Sequence, residues 1–197
     1  MQLVSQPPGT PHRSELEFRR LLATLPVAAY TCDSGGLITY FNERAVKLWG
    51  REPKLNDAVD RFCGSFKLFS LNGSPIPHDE CWMALALRDR KAYDGLEIII
   101  ERPDGGRLTA LAHANPFLDE LGELSGAVNV LVDITDRRRE ELAHARFSAI
   151  VDYSDDAIIS KNLNGFIETW NGAAQRLFGY TAEQAVGRHI SFLIPAE

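Results

Sequence analysis

The chain has 197 residues, 45% of them apolar and 24% charged, with a formal net charge of −6. That composition belongs to a folded globular protein and excludes overall disorder; the length accommodates one or two domains. An acidic chain without a lysine- or arginine-rich stretch is unsuited to nucleic acid, which is bound by neutralising phosphates, and no apolar run approaches the roughly 18–20 residues that span a bilayer.

Residues 1–13 carry Pro7, Pro8, Gly9 and Pro11 and no apolar signal-peptide core, so they read as a flexible tail. Ser14-Glu-Leu-Glu17 is a capping-box pattern. Leu16, Phe18, Leu21, Leu22 and Leu25 then give an apolar stripe of helical spacing, which Pro26 ends. Val27 to Cys32 and Leu37 to Phe41 are short apolar runs on either side of Asp33-Ser-Gly-Gly36, the pattern of a hairpin. Asn42 can cap a helix over Glu43 to Trp49, with Ala45, Leu48 and Trp49 inward, and Gly50 stops it. Residues 51–77 hold Gly64, Gly73, Pro75 and Pro77 and predict an irregular segment. His78 to Arg90 is helical by pattern, with Trp82, Leu85 and Ala86 on one face. Three strands follow: Leu96 to Glu101, Leu108 to Asn115 ending at Pro116, and Ala127 to Ile134. Mostly hairpin-connected strands with small helices predict an α+β fold, a five-stranded antiparallel sheet with helices on one face.

A repeat organises the chain. Gly36-Leu-Ile-Thr-Tyr-Phe-Asn-Glu-Arg-Ala-Val-Lys-Leu-Trp-Gly50 returns as Gly165-Phe-Ile-Glu-Thr-Trp-Asn-Gly-Ala-Ala-Gln-Arg-Leu-Phe-Gly179, identical at six of fifteen positions without a gap, where average usage gives about one. The first copy spans 14–136 and is complete; a linker helix covers 137–150; the second copy, 151–197, holds only the opening half, so the sequence reads as a piece of a longer protein. Two strands alone do not make a stable sheet. The second copy is therefore expected to fray, to pack on the first, or to pair with another chain. In the linker, Arg137 and Glu141 stand at i,i+4. Leu142 and Ala149 could form a seam in a dimer, which Arg146 interrupts.

This order resembles the PAS (S-box) sensory domain. The resemblance is carried by Gly36-Leu-Ile-x-x-Phe-Asn42, Ala45-x-x-Leu-Trp-Gly50, the Pro103-Asp-Gly turn, Pro116-Phe-x-Asp119-x-x-Gly122 and Asp133-Ile-Thr135, and in the second copy by Gly165-Phe-Ile through Gly179-Tyr-Thr and Ile194-Pro195. It implies a cytoplasmic sensory input module that forms a homodimer, binds a small ligand, or does both. Such a module biases an output domain of the same polypeptide, in bacteria most often the histidine kinase of a two-component system. Asp133 and Thr135 would transmit the signal. The alternative is a dimerising spacer with a filled core and no ligand.

Three sensing chemistries can be weighed. Light-sensing flavin PAS domains share an Asn-Cys-Arg-Phe-Leu stretch. Arg61-Phe-Cys-Gly-Ser65 lacks those flanks, so Cys63 reads as an ordinary thiol. Haem PAS sensors are ligated by a histidine on the helix before the third strand; His78-Asp79 falls there, but His78 reads rather as a solvent-facing helix N-terminal residue. A non-covalent ligand would need convergent polar groups in an apolar hollow; Tyr30, Trp82, His113 and Asn129 are the candidates, the last two if they face inward. Cys32, Cys63 and Cys81 read as scattered, reduced, semi-buried thiols. The five histidines build no three-ligand metal set, His144 reads as a linker surface residue, and no nucleophile elbow or phosphate loop is present, so no catalytic constellation is expected.

Overall fold

The computed structural model describes residues 13–119 and 121–194, with side chains from residue 16 on; residues 1–12 of the expected tail, the Ser14 hydroxyl and Pro195 lie outside them, and Arg13, the last residue of that tail, begins the first helix. The chain divides into two compact units, one ending at Thr135 and the other starting at Asp136. The first contains α1 (Arg13–Thr24), β1 (Ala28–Asp33), β2 (Ile38–Phe41), α2 (Glu43–Trp49), β3 (Lys67–Phe69), β4 (Pro75–Ile76), α3 (Trp82–Asp89), β5 (Tyr93–Glu101), β6 (Arg107–Leu118) and β7 (Leu124–Asp133). All strands join one curled antiparallel sheet in the order β2-β1-β7-β6-β5-β3-β4.

The five expected strands form the body of this sheet, and two more extend it. Residues 67–76, expected to be irregular, close a hairpin through Ser70, whose N–H donates to Ser74 O at 2.9 Å across Gly73 at φ 86°. Strands of three and two residues are too short to show a period, and Pro75, which lacks an N–H, stands on the outermost strand, where none is needed. The expected helix from His78 is also two elements. His78–Glu80 is a 3-10 turn, Cys81 is extended at ψ 165°, and α3 starts at Trp82. Its buried residues are Met83, Ala84, Ala86 and Leu87, with Trp82 and Leu85 half-buried. Pro116 does not end β6, which runs on to Leu118. Beyond Ala114 the strand is paired with β7 only, so the missing N–H at residue 116 costs the sheet little.

Small side chains bring helix and sheet together. Ala110, Ala112 and Ala114 line the inner face of β6, and α3 lies over them. Ile98, Ile100, Leu131, Ile38 and Trp49 fill the remainder. The irregular segment after α2 is pinned by the buried Asp60 carboxylate, which accepts from Arg51 Nη2 at 2.5 Å and Lys54 N at 2.8 Å. Burial alone would raise that carboxyl's pKa; the Lys54 N–H and the Arg51 guanidinium outweigh it and hold the pKa low. Only Leu22 of the α1 stripe is buried; Leu16, Phe18 and Leu21 are 45%, 43% and 66% exposed.

The second unit holds α4 (Thr135–Asp152, shared at its first residue), β8 (Ile159–Lys161), β9 (Ile167–Trp170), α5 (Gly172–Phe178) and α6 (Ala182–Ala185). Its core is small: Ile167, Trp170, Ala174 and Ala185, with Phe192 and Leu193 against them. Leu48 in the first unit is 7% exposed, whereas its repeat partner Leu177 is 69% exposed, because only β8 and β9 form the sheet among this unit's described residues.

The repeat is reproduced bond for bond at one residue. Asn42 Oδ1 accepts from Ala29 N at 3.1 Å and from Ala45 N at 3.0 Å, while its Nδ2 donates to Leu22 O at 3.0 Å and Val27 O at 2.9 Å. Asn171 Oδ1 accepts from Ile158 N at 3.0 Å and Ala174 N at 2.9 Å, and its Nδ2 donates to Val151 O at 2.9 Å and Asp156 O at 3.0 Å. Each partner lies 129 positions after its counterpart. The helix stops match as well, Gly50 at φ 68° and Gly179 at φ 78°. Replacing Asn42 by alanine removes a helix cap and leaves three further backbone groups without this partner. The Asn42→Ala variant is expected to lose about 3 kcal/mol in urea unfolding followed by the fluorescence of Trp49 and Trp82.

Candidate functional site

The cross-strand register decides which side chains share the inside of the cup. Tyr30 faces Asn129 across β1 and β7, and Asn129 faces Ala114 across β7 and β6, so these three lie on one face. His113 pairs with Val130 and lies one residue out of phase with Asn129. It stands on the opposite face, with Nδ1 3.4 Å from the exposed Asp94 Oδ1. The expectation that His113 and Asn129 converge inside is therefore corrected: side chains alternate along a strand, and this register puts the two on different faces. Tyr30 and Asn129 are buried inside the cup, and Trp82 closes its end from the first turn of α3.

One backbone carbonyl gathers the polar groups of the interior. Phe62 sits at φ 65°, a left-handed conformation that costs a bulky residue about 1–3 kcal/mol, and its N–H donates to Gly36 O at 2.7 Å. Gly36 makes this approach possible, because a Cβ there would overlap the Phe62 ring. The Phe62 oxygen accepts from Tyr30 OH at 2.9 Å, and the Cys32 and Cys81 thiols point to it at 3.9 and 4.0 Å. Asn129 Nδ2 donates to Tyr30 OH at 3.2 Å. Cys63 Sγ lies 3.2 Å from Ser65 Oγ, which lies 3.4 Å from His78 Nε2. The three thiols expected to be scattered and semi-buried are thus gathered and buried. Their sequence separations hide this, although Tyr30 and Cys32, two apart on one strand, were bound to share a face. Among the described residues no group of three or more His, Cys, Asp or Glu is placed to hold a metal ion.

His78 is not the solvent-facing helix residue expected. It is half-buried on the 3-10 turn, and the Nε2 that would ligate haem iron is taken up by Ser65. Burial, and then the nearby Arg51 guanidinium, lower its pKa. The cavity lined by Tyr30, Cys63, Cys81, Trp82 and Asn129 has a volume of about 10 Å³, enough for one water molecule and far below the several hundred Å³ of a cofactor pocket. Two of the residues that line it carry a buried polar atom without a hydrogen-bond partner, Asn129 Oδ1 and Trp82 Nε1.

The exit from the sheet is a second polar knot. Asp133 Oδ1 accepts from Thr135 N at 2.9 Å and from Thr135 Oγ1 at 2.5 Å, and Thr135 Oγ1 accepts from Thr109 N at 2.9 Å. Ile134 N donates to Thr109 O at 2.9 Å. The first residue of α4 is thereby tied to β6, not only to the strand that precedes it. Arg137 Nε meets Glu141 Oε1 at 2.9 Å, the i,i+4 pair expected, and His144 is exposed.

Comparison with known proteins gives the class. A model described as a PAS domain matches residues 26–136, and one described as a PAS fold matches residues 145–197. The chain belongs to the PAS family, a sensory and signal-transduction module. Among solved structures, the PAS domain of a Colwellia psychrerythraea protein is 20% identical, with 61% of this chain and 98% of that one covered at a TM-score of 0.45. The PAS domain of Bordetella pertussis BvgS is 19% identical over 68% and 97% of the two chains, with a TM-score of 0.42. An RNA-binding light-oxygen-voltage receptor is 17% identical over 73% of this chain and 40% of that one, with a TM-score of 0.50; at that identity the likeness is one of fold alone. No helix of the described residues is long and apolar enough to cross a membrane.

Burial pushes the Cys32 and Cys63 thiols and the Tyr30 hydroxyl up in pKa, and Cys81 up to about 12. At pH 8 the Cys81 shift alone leaves about a thousandfold fewer thiolates than in the unfolded chain. Native protein is expected to react slowly with Ellman's reagent and to release all three equivalents after unfolding in guanidinium. The folded state also holds these protons where the unfolded chain has lost them. Stability is therefore expected to be fully present below about pH 9 and to fall as pH rises through the folded values, read from urea midpoints at pH 8 and 10.

Proposed function

We propose that the chain is the input region of a cytoplasmic signalling polypeptide. In this reading the first PAS unit passes a change in its sheet through Asp133 and Thr135 into α4 and so biases a downstream output domain. A two-component histidine kinase is the output the sequence resemblance points to, and no catalytic step is assigned to this chain. The observation that supports this most is the bond from Thr109 N to Thr135 Oγ1. Shear of β6 against β7 must either drag the first residue of α4 or break that bond. None of α4's described residues is buried, so packing on a core does little to fix the helix and its ends count for more. In Thr135→Val the acceptor is gone. Amide exchange at Thr109 and over residues 136–142 is expected to rise about tenfold, the equivalent of one hydrogen bond, while the centre of β5 and β6 is unchanged. Unchanged exchange at both places would refute the relay.

A second reading, a sensor that binds a small ligand in the cup, is favoured by the unpartnered Asn129 Oδ1 and Trp82 Nε1. A thermal-shift screen against metabolites separates the two: a melting temperature that climbs with ligand concentration supports the sensor, and silence supports a relay or spacer with a filled core. The partner proposed is a second copy of the chain, on the support of the exposed Leu16, Phe18 and Leu21 on α1. Light scattering is expected to give twice the mass of one chain for wild type and to move toward one chain in Leu21→Glu.

A further inference from the structure

We infer that the cup of the first unit binds one uncharged, hydrogen-bonding guest of the size of a water molecule, held between the indole N–H of Trp82 and the side-chain oxygen of Asn129. The orientation of the Asn129 amide is fixed by its surroundings. Tyr30 OH donates to Phe62 O, so it can only accept from Asn129, and the atom facing it is Nδ2. Oδ1 is therefore the free atom, on a residue only 3% exposed. Trp82, which lines the same cavity, carries a donor, Nε1, that is buried without a partner. A buried acceptor and a buried donor on two residues that line one cavity are what a single guest with both capacities satisfies. The volume, about 10 Å³, holds one water, and a larger guest would require the cup to open. The lining excludes an ion: apart from Asn129, it consists of Tyr30, Trp82, thiols and hydrocarbon, with no charged residue.

Trp49 supplies the contrast. Its Nε1 is also buried and unpartnered, but Trp49 does not line this cavity. The guest joins α3 to β7, and β7 reaches Asp133 four residues after Asn129. It is thus a removable link between the helix over the sheet and the strand that leads to the exit knot. The site stands on these atoms alone and does not depend on the relay reading.

The test uses the full chain labelled with ¹⁵N at its tryptophan indoles. A cross-peak between water and the Trp82 indole proton is expected. None is expected at Trp49, or at Trp170, whose Nε1 donates to Tyr180 O at 2.9 Å. Oxygen-17 relaxation dispersion is expected to lose one long-lived water per chain in Asn129→Leu. Trp82→Phe, which removes the donor and keeps an aromatic ring, is expected to show the same loss and serves if the leucine variant fails to fold. Absence of the Trp82 cross-peak, an equal cross-peak at Trp49, or an unchanged dispersion in a folded variant would overturn the inference.

Discussion

A single buried asparagine in each unit holds the start of the fold together. Asn42 lies where two helices, a strand and a turn converge, and its amide bonds to one backbone group in each. No other residue type supplies two donors and a two-fold acceptor on so short a stem. Aspartate has no donors, and glutamine would place the amide one carbon too far out. Because the bonds run to backbone groups, they set the relative positions of α1, β1 and α2 whatever the neighbouring side chains are. That explains how the second unit repeats the geometry with little of the same packing: Trp49 is replaced by Phe178, and Leu48 by a leucine that stays exposed.

The interior of the first unit follows from that frame. With β1 fixed, Tyr30 and Cys32 are aimed inward together, and the segment after α2 has to present something for them to bond. It presents a main-chain oxygen, from a phenylalanine in a conformation that phenylalanine disfavours. The strain is offset by a strong bond from the tyrosine, two weak ones from thiols, and a glycine opposite that leaves room for the ring. The thiols serve as small, weakly polar filling: burial keeps them protonated, and they are poor nucleophiles for the same reason.

Much of this could be read from residues alone, and what could not has identifiable causes. The hairpin at Asp33–Gly36, both asparagine caps, both glycine stops and the long strands declare themselves because each depends on neighbours in sequence. The β3–β4 hairpin does not, since five strand residues cannot display a period. The face of His113 stays open in the sequence because alternation gives two sets per strand without saying which is inside; the cross-strand register decides it, here through the pairing with Val130 on the next strand. The gathering of Cys32, Cys63 and Cys81 is likewise tertiary, built by a strand, a loop and a helix start. The order of the PAS motifs still pointed to the right family, because motif order survives where side-chain placement is uncertain.

The outer strand of the extended sheet has an effect on how such chains can meet. β4 contributes only Pro75 and Ile76, and a proline on the rim offers no N–H to a newcomer. Strand addition is thereby discouraged at that border, and a runaway ladder of sheets is blocked on that side. A chain that met this rim would find side chains to pack on and no backbone donor at residue 75 to pair with.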